Sequence, residues 1–459
     1  MFSKETFLQR RAALRQKIDR GILLFCGNEE SSMNYADNTY HFRQDSSFLY
    51  FWGMDYAGLN AVIDLDEGAD ILFGNDLTVE DIVWMGTQPT LLERGDKYGI
   101  REVRPAGQLA GYLEEAVKKG RTIHFLPPYR PENKLKLFRW LGIHPDETKA
   151  KASIPFTRAV VDLRNHKSED EIAEIEKAVN LSVDMHVAAM RMARAGMKEA
   201  ELAARVQEIA LAAGGQISFP VIMTINGQTL HNHYHGNTLK SGDMVLCDCG
   251  AETDLRYCGD LSSTFPVDKT FTPRQREIYQ ITLDAHEAAL ATLVPGRPFR
   301  DAHFTACLTI AEGLKGMGMM KGNLEEAVNA GAHALFFPCG TGHMMGLDVH
   351  DMEDLGEVYV GYDGEPKSTL FGLKSLRLAR PMEVGFVATI EPGIYFIPEL
   401  IDLWRSQGKF TEYLDYEAVN AYRDFGGIRN EEDIVITPGG YRVLGKRKPK
   451  TIEEVESMR

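Results

Sequence analysis

Residues 158–193, RAVVDLRNHKSEDEIAEIEKAVNLSVDMHVAAMRMA, separate two textures in this chain. Before them, apolar runs of strand length alternate with helical patterns. After their charged opening, apolar residues recur at helical spacing for longer than a strand sustains. Ser168 followed by Glu171 starts that helix with a capping box, in which each side chain satisfies a free backbone N–H. We therefore expect two domains, 1–160 and 161–459, each large enough to bury its own core.

In the first, GILLFCG, FLYFWGM, LNAVIDLD and ADILFGN read as strands bounded by turn residues. TIHFLPP is a further strand between the helical patterns GQLAGYLEEAVKKG and PENKLKLFRWLG, which makes an α/β domain. MFSKETFLQRRAALRQKI reads as an amphipathic helix, without the apolar centre of a secretory signal. In the second domain KEAELAARVQEIALAAG, TPRQREIYQITLDAHEAALATL and DAHFTACLTIAEGLKGMG read as helices. Thr272 is an N-cap, with Pro273 in the first helical position. The rest reads as strand and loop, an α+β pattern.

The net charge of −15 excludes a nucleic-acid partner, whose phosphates need clustered Lys and Arg. No apolar run reaches the roughly 18 residues of a membrane span. Six cysteines in so long a chain are not a disulfide framework, and the expected compartment is the cytoplasm.

LCDCGAETDLRYCGDLSSTF holds Asp248 and Asp260, twelve apart, with three cysteines among them. On a strand, successive side chains face opposite ways, so Cys247 and Cys249 share one face and Asp248 takes the other. A reversal near Asp254 would set Asp248 opposite Asp260. Taken alone, two acids at strand ends are more often solvated, and buried free cysteines are more often packing residues. FFPCGTGHMMGLDVHD adds His343 and His350 among glycines. VATIEPGIYF sets Glu391 at the end of an apolar strand, where a carboxylate must be paired, coordinated or in water. FGGIRNEEDIVIT places Glu431 and Asp433 on one face and Glu432 on the other, which by itself reads as a solvated acidic edge. Together Asp248, Asp260, His343, Glu391 and Glu431 are an oxygen-rich set with one imidazole. Such a set suits hard or borderline divalent ions. Four carboxylates repel one another, which points to two cations rather than one.

In order, DCG…D, GTGH…GLDVHD, TIEPGIY and IRNEED resemble the pita-bread metallopeptidases: methionine aminopeptidases, aminopeptidase P and prolidase. YHFRQDSSFLYFWGMD is similar to the N-terminal domain that the last two share. GLKSLRLARPMEVGFVATIEPGIYFIPELIDL is most similar to the prolidase (Xaa-Pro dipeptidase) branch. The resemblance implies a pita-bread catalytic domain with two divalent ions, Mn²⁺ by usual practice, with Zn²⁺, Co²⁺ and Fe²⁺ as alternatives. It makes the same five residues metal ligands, with Asp260 and Glu431 bridging. His350 falls beside substrate, Glu391 relays a proton, and Arg377 and Arg429 bind the substrate carboxylate. A further histidine stabilises the oxyanion. His233 keeps the family's HYxxN pattern, whereas His231 has the better distance to Asp248; His233 is favoured. The resemblance also implies a homodimer, in which Trp84 reaches the neighbouring subunit. The implied activity is hydrolysis of Xaa-Pro dipeptides, with removal of the first residue from longer Xaa-Pro peptides as the alternative. Two departures stand out. The aspartates are one residue further apart than is usual, which an extra turn residue or a bulge would absorb. After Asp260 the family's arginine is missing, although Ser262 keeps a hydroxyl for hydrogen bonding behind the ligands.

Overall fold

A computed structural model describes residues 2–459. The chain divides into two compact units. One takes in residues up to Arg164 together with Met352–Tyr359; the other takes in Asn165–Asp351 and Val360–Arg459.

The first unit is built on strands β1 (Ile22–Cys26), β2 (Asn60–Asp64), β3 (Ala69–Phe73), β4 (Glu102–Arg104) and β5 (Ile123–Phe125), in the order β4-β3-β2-β1-β5. The central pairs are antiparallel, and β5 and β4 add in parallel at the edges. Alternate residues Ile22, Leu24, Val62, Ile71 and Phe73 meet Leu109 and Leu113 in one core, as period-two alternation requires. The expected strand FLYFWGM is instead the helix Ser46–Trp52. The Asp45 side chain accepts the Phe48 N–H at 2.9 Å, and Gly53, at φ 70°, ends the helix. Every residue of this helix is buried, so it has no polar face and its sequence shows no period to distinguish it from a buried strand.

The second unit contains β6 (Gln216–Ile217), β7 (Ile222–Thr224), β8 (Met244–Cys249), β9 (Ala251–Glu252), β10 (Leu261–Pro266), β11 (Val387–Ile390), β12 (Gly393–Tyr395), β13 (Gly427–Arg429), β14 (Glu432–Thr437) and β15 (Gly440–Val443). They form small sheets, β10-β8-β7, β11-β14-β15, β12-β13 and β6-β9. Helices Glu169–Met192, Glu199–Ala212, Pro273–Leu290 and Phe299–Gly316 lie where expected. The first carries the Ser168–Glu171 capping box. The C-terminal region is not only strand and loop: Leu324–Ala330, Pro398–Ser406, Tyr416–Asn420 and Ile452–Ser457 are helical. Short as they are, three of them have side-chain caps, from Asn323, Asp415 and Thr451. No helix among the described residues is long and apolar enough to cross a membrane.

β8 and β10 form the hairpin that carries both aspartates, in a register that differs from the expected one. Ser262, not Asp260, stands opposite Asp248. The same register recurs at an isolated bridge, Glu252 opposite Cys258. The turn is therefore centred on Leu255. The Thr253 N–H bonds the Tyr257 carbonyl at 2.9 Å, and Arg256 adopts φ 69°. This three-residue loop absorbs the additional residue. Two residues from the expected partner leaves the pleat unchanged, so Asp260 still shares a face with Asp248, diagonally across.

Candidate metal centre

Asp248 projects from the middle of the hairpin, and Asp260 sits at its far strand's start. The Asp260 N–H donates to Asp433 Oδ2 at 3.0 Å, which fixes the backbone beside the side chain. Gly250 is required between them: a Cβ there would lie 1.8 Å from the Gly259 carbonyl oxygen. Glu431 lies at the turn from β13 into β14. Its N–H bonds the Ser262 carbonyl at 3.2 Å, which stitches that turn to the hairpin. His343 is clamped against β11: its N–H donates to Thr389 Oγ1 at 3.1 Å, and its carbonyl accepts from the Thr389 N–H at 3.0 Å. Glu391 follows directly after β11, and its N–H donates to the Thr341 carbonyl at 2.7 Å.

These elements bring all five expected ligands to one cavity of about 560 Å³. Donor atoms of Asp260, His343 and Glu431 lie within 4.8 Å of one another. His343 Nε2 is 3.4 Å from Asp260 Oδ2 and 3.5 Å from Glu391 Oε1. Its Nδ1–H donates to the Met344 carbonyl at 3.0 Å, which leaves Nε2 with its lone pair toward the acids. His350 packs edge-on against His343, with ring centroids 4.3 Å apart. His231, His233 and Arg377 line the same cavity. The expectation of a solvated edge at 431–433 is overturned. Glu431, Glu432 and Asp433 are all buried, because β14 is the central strand of its sheet.

Arg429 lines the same cavity and is also bonded to the residues around the acids. Its Nε donates to Ser262 Oγ at 2.8 Å, Nη1 to the Tyr395 hydroxyl at 2.8 Å, and Nη2 to Asp248 Oδ2. These bonds use three of the five guanidinium N–H groups. Ser262 Oγ passes the connection on by donating to Glu431 Oε2 at 2.8 Å. The roles of Thr389, Tyr395 and Asp433 are not read from the sequence. Two of them left a local signal, since Thr389 shares a strand face with Glu391 and Asp433 with Glu431, each two residues away.

The electrostatics fit a missing positive charge. Burial, then the nearby Asp248, pushes Asp260 up to about 7. Burial also raises Glu391 and Glu431, with neighbouring carboxylates adding to the shift. One oxygen of Asp248 is buried without a hydrogen-bond partner. A carboxylate cluster of this kind is costly unless cations join it. Oxygen donors with a single imidazole suit Mn²⁺ and similar divalent ions. The residues present therefore fit a metal centre. Cys247 and Cys249 do not join it: they stand on the face of β8 opposite Asp248, with their sulfurs 3.7 Å apart.

A family model for metallopeptidase family M24 matches residues 173–438, and one for the aminopeptidase P N-terminal domain matches residues 7–124. The Homo sapiens Xaa-Pro dipeptidase is 31% identical over 448 residues, which is 95% of this chain and 88% of that protein. The structure of Pseudomonas aeruginosa aminopeptidase PepP aligns with a TM-score of 0.82 at 26% identity, covering 100% of this chain and 98% of that one. A zinc-substituted Escherichia coli aminopeptidase P in complex with product gives 0.80 at 27%, with 100% and 98% covered. With an M24 match over more than half its length and a pita-bread catalytic unit behind an aminopeptidase P-type N-terminal domain, this chain belongs to metallopeptidase family M24 and is a metal-dependent hydrolase.

Proposed function

We propose that the chain hydrolyses Xaa-Pro dipeptides with two divalent ions, Mn²⁺ first, which Asp248, Asp260, His343, Glu391 and Glu431 would hold. Zn²⁺, Co²⁺ and Fe²⁺ would suit the same donors. Bound there, the ions would activate water and polarise the scissile carbonyl.

The observation that carries the dipeptidase reading is Arg377, half-buried in the wall of the cavity that holds all five donors. A planar guanidinium grips a carboxylate through two parallel hydrogen bonds, and a dipeptide ends in a carboxylate one residue from its scissile bond. The proline nitrogen carries no N–H, so the substrate must be held by its ends rather than by that amide. We assign the oxyanion role to His231 rather than His233. Burial lowers the pKa of His231, and its charged neighbours are Arg429, Asp248, Arg377 and His350, the groups around the metal centre. A neutral imidazole there donates one N–H to the developing oxyanion. His350, beside His343, is placed to contact substrate. Glu391, whose side chain is 21% exposed, is the ligand open enough to carry a proton to the departing nitrogen.

The solved neighbours named as aminopeptidase P favour the second reading, removal of the first residue from longer Xaa-Pro peptides. The two separate on substrate. Ala-Pro is to be cleaved faster than Ala-Pro-Ala, with activity lost to a chelator and restored by Mn²⁺. Arg377→Met is to raise KM for Ala-Pro about tenfold or more, a lost charge-assisted pair. Cleavage of the tripeptide alone would sink the dipeptidase reading.

We also propose a homodimer in the cytoplasm. None of the six cysteines forms a disulfide, as expected of a reducing compartment. The helix Val79–Met85 buries none of its residues, and Val79, Val83 and Trp84 are 80%, 74% and 82% exposed. An apolar face of that kind needs a cover. Sedimentation should give a dimer that Trp84→Ala weakens; a monomeric wild-type chain defeats this.

A further inference from the structure

On the helix Phe299–Gly316, His303 and Cys307 lie one turn apart and share a face. Beside them, the short turn Ala332–Leu335 carries His333. The three are 0%, 0% and 2% exposed, and their donor atoms lie within 4.8 Å of one another. His303 Nε2 is 3.6 Å from Cys307 Sγ. A nitrogen at ~2.0 Å and a sulfur at ~2.3 Å from one tetrahedral zinc stand ~3.5 Å apart, so that edge needs no rearrangement.

The other ring nitrogen of His303, Nδ1, is 2.9 Å from Thr341 Oγ1. Metal-bound histidines are commonly held in this way, one nitrogen anchored and the other presented to the ion. His333 lacks even an anchor. Neither ring nitrogen has a hydrogen-bond partner; the Val328 backbone is close enough to oppose the fall in its pKa, but not in bonding geometry. Such a buried group calls for an explanation, and an ion is one. Phe304 and Phe337 flank the His303 ring, each 5.8 Å away. Burial pushes His303 down to about 3 and His333 down to about 4, so both are neutral and keep a lone pair.

We propose that His303, Cys307 and His333 form a second metal site, for a thiophilic cation of the Zn²⁺ class, distinct from the oxygen-rich centre. Two imidazoles and a thiolate select Zn²⁺-like ions where carboxylates select Mn²⁺-like ones. On binding, the S–H bond breaks, the sulfur–metal bond forms and the proton leaves to solvent. Thr341 connects the two sites: its hydroxyl meets His303 and its carbonyl accepts the Glu391 N–H at 2.7 Å. The bound ion thereby stiffens the wall that presents Glu391. The other sulfur-bearing cluster, His186 with Cys247 and Cys249, is a poorer site, because the ring nitrogen 3.6 Å from Cys249 Sγ, Nε2, is the one that donates its proton to the Cys249 carbonyl at 3.1 Å, so it offers the sulfur side no lone pair.

The test is titration of the metal-free full chain with Co²⁺, followed by near-ultraviolet absorption. Only sulfur-bound cobalt gives thiolate-to-cobalt charge transfer, and none of the five donors at the other centre is sulfur. The band is to form in the wild type and in Cys247→Ser, and to be lost in Cys307→Ser. No band at saturating Co²⁺ in the wild type, or a band that survives Cys307→Ser, overturns the site. If circular dichroism shows that Cys307→Ser does not fold, His333→Gln keeps every thiol. It should weaken the cobalt affinity read from the band by about 10-fold or more; unchanged affinity is equally fatal.

Discussion

Asp64 in the N-terminal unit and Asp260 in the catalytic unit are both buried acids, 0% and 5% exposed, yet the chain treats them in opposite ways. Burial pushes the Asp64 carboxyl up, but Arg121, the Tyr112 hydroxyl and the Glu67 N–H outweigh it and hold the group below the usual carboxylate range. Asp260 is pushed up to about 7 by burial and Asp248, and its hydrogen-bonding environment does not reverse the shift. The first acid is complete without help. The second belongs to a cluster that its own unit leaves short of positive charge. Buried charge alone therefore does not mark a metal site; uncompensated buried charge does.

Neutral isosteres break or sharpen that contrast. Glu431→Gln should lower kcat/KM by about 10³-fold, since it removes a proposed oxygen ligand of the ions. In the chelated protein the same change should leave stability equal or higher, because it relieves repulsion among carboxylates. A chelated variant that unfolds more easily than the wild type would mean that Glu431 is a structural acid like Asp64.

Asp64→Asn should do the reverse: activity per folded molecule unchanged, and stability lowered by about 2–3 kcal/mol. That is below the cost of a fully buried broken pair, since Arg121 keeps Asp66 and is 18% exposed. Urea unfolding of the two variants side by side, with and without chelator, reads both effects. Loss of turnover in Asp64→Asn without loss of stability would erase the distinction.

The sequence made the ligands legible but not their supports, for a physical reason. Period-two alternation fixes which face Asp248 and Asp260 occupy whatever the exact register, so a two-residue error in pairing left the pair together. The register itself depended on Arg256 adopting a left-handed conformation, which most side chains avoid and no neighbouring residue announced. Alternation also says which way Glu431 points but not what covers it. The 431–433 run therefore looked solvated until β14 proved to be a central strand. The bonds of Arg429 are not legible in the sequence, because its partners, Asp248, Ser262 and Tyr395, come from three distant segments. Caps were the most reliable local signal where they were used, as at Ser168. They were overlooked at Asp45 and Thr451, where each starts a helix read as something else.

A buried lysine, Lys448, extends the contrast to cations. In the N-terminal unit Arg121, which bonds Asp64 and Asp66, has its pKa raised. Lys448 is buried near Glu432 and Glu431, yet burial brings it down to about 8, and its hydrogen bonds go to the Ser262 carbonyl at 2.9 Å and Ser263 Oγ at 3.1 Å, not to a carboxylate. It does not neutralise the acids around Glu431 by pairing with one of them. The sign follows from proton counting. A lysine whose folded pKa is lowered binds fewer protons folded than unfolded between about 8 and its ordinary value of 10.5. Native stability therefore carries the full penalty below about pH 8 and recovers as pH rises through that window, by on the order of 1 kcal/mol per pH unit. Lys448→Met removes the titrating group, so the wild-type chain should gain on the variant between about pH 8 and about pH 10 in urea unfolding. A wild type that loses ground to Lys448→Met over that range would mean that Lys448 is a paired cation after all, and that the acids around Glu431 are less short of charge than their burial implies.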